Sequence, residues 1–580
     1  MRANHPLSRI EYQVMWNRLI SVVEEQAQTL VRTAFGTATR EAGDLSAGVY
    51  DTQGRMLAQA VTGTPGHVNS MAMSTKYVLE KVPLAKMNDG DAYILNDPWQ
   101  GTGHLNDIVI VTPTFRRGTA VGLFACTLHV VDIGGRGIVG AAQQVYEEGL
   151  YVPITKIVDR GEINEWLIDI IKANVREPVQ VIGDIYSEIA SNEVGGKRLV
   201  AMMDEFGLEH LDDLAKHILD HSREASLAAI NRLPHGTYRN TMMVDGINGT
   251  PMKLEAALTI GADGIDVDFA GSAGVVQMGI NVPLCYTEAY TSFGVKCIVA
   301  PHVPNNAASL ATIRVTAPDG CILNAKHPAA VQGRSIIGQM LPDVVFGCLQ
   351  QAVAGGVPAE GTSCLWNVRL MGGMGRVDGD PVQLQKATSF NVTGFHSGGT
   401  GARPKLDGLS ATAFPSGVRN VPVEITETIA PVLIWNKEYR QDSGGAGEFR
   451  GGLGQIMEIE TAEDMPFAIS TSFDRVDFPP RGRAGGKSGM TGRVELVSGK
   501  TLPPKAHSSI PVGERLRVSM PGGGGYGDPR KRPAAKVAED VERGLVSVEA
   551  ARDHYGVALE ADGKVDEAAT ARLRTAVAAE

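Results

Sequence analysis

Residues 104–132 read His104-Leu-Asn-Asp107-Ile-Val-Ile-Val-Thr-Pro-Thr-Phe115-Arg-Arg-Gly118-Thr-Ala-Val121-Gly-Leu-Phe-Ala-Cys126-Thr-Leu-His129-Val-Val-Asp132. Ile108 to Phe115 alternates towards a turn at Arg116-Arg117-Gly118-Thr119, and Val121 to Val130 returns from it, which is the pattern of a β-hairpin. Centred on Gly118, the pairing sets Phe115 opposite Val121, Asp107 opposite His129 and His104 opposite Asp132. A His-x-x-Asp motif occurs twice here, and the pairing gathers both copies at one end of one hairpin. Two imidazoles and two carboxylates suit a borderline or hard divalent ion such as Zn²⁺, Mn²⁺ or Fe²⁺, and the absence of sulfur argues against a thiolate-type structural site. The competing reading is a polar loop cluster in which each Asp orients a neighbouring His.

Two further residues bear on this site. Asp44 is a plausible additional ligand because it opens another hairpin-like stretch, Leu45 to Tyr50, a turn at Asp51-Thr-Gln-Gly54, then Arg55 to Ala60. His67, in the stretch Gly63-Thr-Pro-Gly-His67, is read as a loop residue able to approach it.

Outward from the hairpin the chain changes texture several times. Ile10 to Thr33 carries apolar residues at helical spacing, and Met71 to Val82 reads as a second helix. Residues 1–153 are therefore expected to form an α+β region holding the metal-site hairpins. Residues 154–235 form a helical segment, with periodicity over Glu162 to Lys172, Gln180 to Phe206 and Leu211 to Arg232. Residues 236–528 are a Gly-rich α+β region of short strands, with helical patterns at Thr287 to Val299 and Gly333 to Ala354. Within it, Asp266 and Asp268 share one face of a strand, read as solvated. Residues 529–580 are a C-terminal docking segment of three short helical patterns. The fold class expected is α+β and multidomain, with a β-hairpin-rich metal-site region, a helical middle segment, a Gly-rich β region and C-terminal helices.

Composition narrows the function classes. A chain of 580 residues exceeds what one hydrophobic core usually organises. No apolar run reaches bilayer-spanning length and the first residues lack a signal-peptide core, so the expectation is a cytoplasmic protein without a membrane partner. A net charge of -11 without a basic patch argues against nucleic acid. The six cysteines show no C-x-x-C spacing and read as reduced core residues. The glycine runs at 442–454 and 521–527 lack G-x-x-x-x-G-K-[ST], so tight turns and close backbone approach explain them better than a phosphate loop.

The segments Leu95-Asn-Asp-Pro-Trp-Gln-Gly-Thr-Gly-His-Leu-Asn-Asp107, His129-Val-Val-Asp-Ile-Gly-Gly135, Glu147-Glu-Gly-Leu150, Asp442-Ser-Gly-Gly and Pro521-Gly-Gly-Gly-Gly-Tyr-Gly-Asp-Pro529 resemble the hydantoinase B/oxoprolinase family. The resemblance implies the metal-dependent catalytic subunit of an ATP-dependent cyclic-amide hydrolase opening a hydantoin, 5-oxoproline or lactam ring. A separate hydantoinase A-like, ATP-binding subunit would use ATP and Mg²⁺ to phosphorylate the carbonyl oxygen, and a hetero-oligomer with two or more copies is expected. The implied metal ligands are Asp44, His104, Asp107 and His129, with Asp132 either a further ligand or a partner that orients one. Candidates for the general base are Glu147 and Glu148, and whichever of Asp132 or His67 is not bound to the metal. Many hydrolytic members read G-G-T-H-L-P-D where this chain has Gly101-Thr-Gly-His-Leu-Asn-Asp107. Trp99 and Gly-Thr-Gly also resemble the ketone-carboxylase branch, of the acetone and acetophenone type, so that alternative stands beside the hydrolase. A third reading is an assembly subunit with a non-catalytic site.

Overall fold

Both strands of the 104–132 hairpin form, and they are the middle of a seven-stranded antiparallel sheet. The computed structural model describes residues 8–136, 142–247, 249–373, 377–378 and 380–576. The chain divides into two compact units, Met1–Asn240 with Glu255–Ala352, and Thr241–Leu254 with Val353–Glu580. These units cut across the expected segments: the helical stretch 154–235 belongs to the first unit, and residues 236–528 are shared between the two.

In the first unit the elements run α1 (Arg9–Thr33), α2 (Thr37–Arg40), β1 (Leu45–Tyr50), β2 (Met56–Gln59), α3 (Pro65–Lys81), β3 (Ala92–Leu95), β4 (Asp107–Arg116), β5 (Thr119–His129), β6 (Thr155–Asp159), β7 (Glu162–Ile163), α4 (Glu165–Asn174), α5 (Pro178–Phe206) and α6 (Asp212–Ile230). The sheet order is β2-β1-β5-β4-β3-β6-β7. Strand alternation gives each face its own core. Ile108, Ile110, Cys126 and Leu128 face a cluster that includes Leu30 of α1 and Ile185 of α5. Val109, Val111, Leu123 and Ala125 face another that includes Val68, Met71 and Val78 of α3. Burial on both faces explains why the two long strands are apolar almost throughout.

The hairpin turn is tighter than a centre on Gly118 predicts. Arg117 and Gly118 have φ of 51° and 81°, the two positive values of a two-residue type I′ turn, so Arg116 pairs with Thr119. Phe115 then pairs with Ala120, not Val121. A bulge between Thr114 and Phe115 passes over Val121, and from Thr114↔Gly122 onward the expected register returns, ending on Asp107↔His129.

Beyond this sheet the first unit continues through β8 (Gly236–Ile247), β9 (Thr250–Gly261), β10 (Gly264–Asp268), α7 (Leu284–Val299), α8 (Ala307–Leu310), β11 (Ile313–Thr316), α9 (Ser335–Gly338) and α10 (Leu341–Leu349). The ends of β8 and β9 between 241 and 254 are counted with the second unit. The order β11-β10-β9-β8 includes a parallel β10–β11 pair. Asp266 and Asp268 do lie exposed on one face of β10, with Asp266 held by Arg314 at 2.6 Å. The single helix expected over 333–354 is two short ones, α9 and α10.

The second unit contains two four-stranded sheets. One orders β12 (Val368–Gly372), β13 (Phe390–Gly394), β16 (Phe467–Ser470) and β18 (His507–Ile510) as β13-β12-β16-β18; the other orders β14 (Val432–Tyr439), β15 (Gln455–Thr461), β17 (Arg493–Leu496) and β19 (Leu516–Ser519) as β14-β15-β19-β17. Its glycine runs are packed backbone against backbone. Gly523 donates to Gly452 O at 2.9 Å, and Gly445 donates to Gly523 O at 2.8 Å. A Cβ on Gly523 would stand 1.9 Å from Thr400 O, so no other residue fits. The C-terminal helices Ala534–Glu542 and Val548–Tyr555 pack around Ala446 through Val537, Ala551 and Tyr555. Among the described residues no helix is long and apolar enough to cross a membrane, and all six cysteines are free.

Candidate metal centre

Asp107 opens β4 and His129 closes β5, so their cross-strand pairing places both at the ends of two central strands of the sheet. Asp44 precedes β1, and its carbonyl accepts the His129 N–H at 3.3 Å. His67 arrives from a different element than expected. The stretch read as a loop is the first turn of α3, with Pro65 preset for a helix start, and His67 is the third residue of that helix. Gly66 permits this approach, since a Cβ there would lie 2.5 Å from the Tyr290 ring of α7.

These side chains converge on the carboxylate of Asp107, which is fully buried. Its Oδ2 accepts from Thr102 Oγ1 at 2.6 Å, from His67 Nε2 at 2.9 Å and from Arg334 Nη2. Its Oδ1 faces His104 Nε2 at 2.7 Å and His129 Nδ1 at 3.0 Å. His67 also turns Nδ1 towards Asp44 Oδ1 at 3.5 Å. Burial alone would raise the pKa of Asp107, but His104, His67 and Arg334 around it hold the carboxyl well below its usual range. Burial would lower His67, yet the carboxylates of Asp107 and Asp44 leave it raised. His104 goes the other way, to about 3, through burial and the nearby Arg334 guanidinium.

The tautomer of His104 follows from its partners. Nδ1 lies 2.9 Å from Gln332 O, and a carbonyl oxygen can only accept, so Nδ1 carries the proton. Protonated, Nε2 would donate to the carboxylate oxygen 2.7 Å away; with the ring neutral, as its lowered pKa favours, it presents a bare lone pair there. Two acceptors at that distance repel unless a cation lies with them. A His whose far N–H is given to a backbone carbonyl is the usual arrangement for a metal ligand. Ligand atoms of His104, Asp107 and His129 all lie within 4.8 Å of one another, and this group could hold a divalent ion.

The support around the group comes mostly from residues the sequence did not single out. Arg334 donates from Nε to Thr102 O at 2.6 Å and lies 4.2 Å over the Tyr286 ring. Gly103, at φ 97°, lets that guanidinium pass, because a Cβ would be 2.5 Å from Arg334 Cδ. Gln332 donates to Asn106 Oδ1 at 2.8 Å. Thr102 and Asn106 lie within the quoted motif segment, and Arg334 is a lone cation between Val331 and Ile336, a pattern that signals a buried charge with a partner.

The remaining candidates separate. Asp132 does not sit opposite His104, since pairing ends at Asp107↔His129. It is buried against Arg176, accepting from Nη1 at 2.6 Å and from the Arg176 backbone N–H. Glu147 pairs with Arg136 at 2.9 Å and caps its own short turn, accepting from the N–H groups of Gln143 and Gln144. Glu148 is buried: Oε1 accepts the N–H groups of Val331 and Gln332, both at 2.8 Å, and Oε2 has no hydrogen-bond partner among the described residues. Burial pushes its pKa up to about 8. Glu148 thus fixes the turn whose carbonyl fixes His104.

Fold and site together define a protein with a buried His/Asp group that could hold a divalent cation, at the ends of two central strands of a doubly covered antiparallel sheet. The chain belongs to the Hydantoinase B/oxoprolinase family, whose sequence profile matches residues 8–529. It is 28% identical to the B-type subunit of a putative D-/L-hydantoinase from a Pseudomonas species, over 97% of this chain and 98% of that one. The crystal structure of ATP-dependent caprolactamase from Pseudomonas jessenii superposes with a TM-score of 0.87 at 26% identity, covering 98% of this chain and 100% of that one. Nucleotide-free acetone carboxylase shares the fold, with a TM-score of 0.86 at 21% identity over 98% of this chain and 82% of that one.

Proposed function

We propose that this chain is the metal-dependent catalytic subunit of an ATP-dependent cyclic-amide hydrolase, acting on a hydantoin, 5-oxoproline or lactam. A separate A-type subunit would supply the carbonyl already O-phosphorylated. The observation that carries the metal is the 2.7 Å approach of His104 Nε2 to Asp107 Oδ1, with His104 Nδ1 held on Gln332 O at 2.9 Å. The full-length similarity to a B-type hydantoinase subunit and to caprolactamase supports the reaction class.

His104, Asp107 and His129 would hold the ion, with Asp44 beside them; a Zn²⁺, Mn²⁺ or Fe²⁺ there would lower the pKa of a water and polarise an oxygen of the substrate. The chain's own groups do the rest. Gln332 O holds His104 in one tautomer, and Thr102 and Arg334 hold the Asp107 carboxylate in one orientation. An amide resists attack because resonance feeds its carbonyl, whereas an O-phosphorylated imidate has lost that protection and carries a good leaving group. His67, set between Asp107 and Asp44, whose carboxylates raise its pKa, is the group placed to exchange a proton at the site. Glu148, carrying a proton near neutral pH, and Asp132, held by Arg176, act as positioning residues.

The test is to co-express this chain with an A-type ATP-binding subunit and assay ATP-dependent opening of hydantoins, 5-oxoproline and lactams. Turnover of a cyclic amide that is lost in His104→Ala supports the proposal. Turnover of ketones alone, and only with bicarbonate, replaces it with the carboxylase. Absence of any bound divalent ion would leave an assembly subunit.

A further inference from the structure

The first unit contains a second concave site, away from the His/Asp group. A cavity of about 690 Å³ is walled by Ala72 and Met73 of α3, Glu288 and Ser292 of α7, and Leu310 and Ile313 near β11. That volume is in the range of small-molecule pockets. At about 100° per residue along α3, Lys76 at the cavity lies on the face of the helix opposite His67. The cavity and the metal group are therefore on different sides of the same helix.

The charges around the cavity decide what it would take. Three cations line it, and each already has a carboxylate: Arg55 with Asp51 at 2.7 Å, Arg314 with Asp266 at 2.6 Å, and Lys76 with Glu80 at 3.9 Å. Asn69, also in the wall, is engaged with Ala289 O at 3.1 Å and with Ser292 Oγ at 3.2 Å. Glu288 is the exception. It is half-buried on α7, and among the described residues its carboxylate has neither a hydrogen-bond donor nor an ion-pair partner. Removal from water is what raises its pKa, with nothing nearby offsetting it. The rest of the wall is mostly apolar: Met56, Ala72, Met73, Leu310 and Ile313.

We propose that this cavity is a ligand site for a primary ammonium on a short aliphatic body, with the Glu288 carboxylate as its counter-charge and the α3, α7 and β11 side chains as its apolar walls. The ammonium supplies the missing donor, and the alkyl chain replaces water against methionine, leucine and isoleucine. This inference does not depend on the reaction assigned to the His/Asp group.

Calorimetric titration of the full-length chain with n-pentylammonium chloride, sodium pentanoate and 1-pentanol tests it. One equivalent of pentylammonium should bind, with pentanoate showing no saturable binding and pentanol binding about tenfold or more weaker. Glu288→Gln should weaken pentylammonium by about tenfold or more, and Ala72→Phe, which fills the cavity from another helix, should abolish it. Binding should persist in His104→Ala. Equal binding of pentanoate, unchanged affinity in both wall variants, or no binding of pentylammonium to the folded chain overturns the proposal.

Discussion

His104 sets Nε2 2.7 Å from Asp107 Oδ1 while its Nδ1 proton is committed to Gln332 O at 2.9 Å. The other oxygen of Asp107 is saturated by Thr102, His67 and Arg334. A neutral His104 ring would leave two acceptors, Nε2 and Oδ1, facing each other, an arrangement that a divalent ion would relieve. Elemental analysis of the purified chain should find about one divalent ion per chain, and His104→Ala or His129→Ala should lose it with about a tenfold or greater drop in affinity. Full metal retention in both variants would remove these residues from the ligand set.

Arg334 and Asp107 are both buried, so neither charge has water to fall back on. Arg334→Met removes one partner and leaves the other carboxylate oxygen with two donors. A loss of about 3–5 kcal/mol is expected in urea unfolding, with weaker metal binding. A loss under about 1 kcal/mol would show that Thr102 and His67 suffice.

Glu148 sets a pH dependence. Its carboxyl is raised from 4.5 to about 8 in the folded chain, so between those values the native state holds a proton that the unfolded state has released. Its contribution to stability is therefore complete below pH 4.5 and is lost as pH rises to 8, with a slope of at most about 1.4 kcal/mol per unit. Asp184, raised from 3.8 to about 6, acts in the same direction over a lower window. Glu148→Gln keeps an acceptor for Val331 and Gln332 but has no titration, so its stability should vary less between pH 5 and 8. Parallel curves for the two proteins would place the proton elsewhere.

Gly523→Ala tests the glycine packing of the second unit. Its Cβ would meet Thr400 O at 1.9 Å, with backbone on the far side and no flexible side chain to yield. Overpacking usually costs about 1–3 kcal/mol, and a backbone clash belongs at or beyond the upper end. Circular dichroism melts of the variant should show that loss; an unchanged melting temperature would mean that the two backbone segments can separate at no cost.

The hairpin is legible in the sequence because strand period is local and both faces are apolar. The end that carries the His/Asp group is legible too, with Asp107 opposite His129. Near the turn the expected pairing fails for a physical reason: a tight turn at Arg117–Gly118 shifts the pairing by one, and the bulge at Thr114 shifts it back. A register carried on from the turn alone would have turned the side chains of one strand to the wrong face; the two buried faces demand the bulge.

The sequence by itself determined the family, the long helices α1, α5 and α6, the central hairpin and the Asp107/His129 pairing at its end, all of which rest on periodicity or on residues close together in the chain. Only the tertiary structure decided how the site is held. Arg334 and Gln332 reach Asp107 and His104 across 227 and 228 residues, and Asp132 is drawn off to Arg176, 44 residues away. His67 acts from a helix start whose approach depends on a glycine fitting against Tyr290. Such contacts are chosen by which buried charges find partners once the layers close, and that choice leaves no period in the sequence.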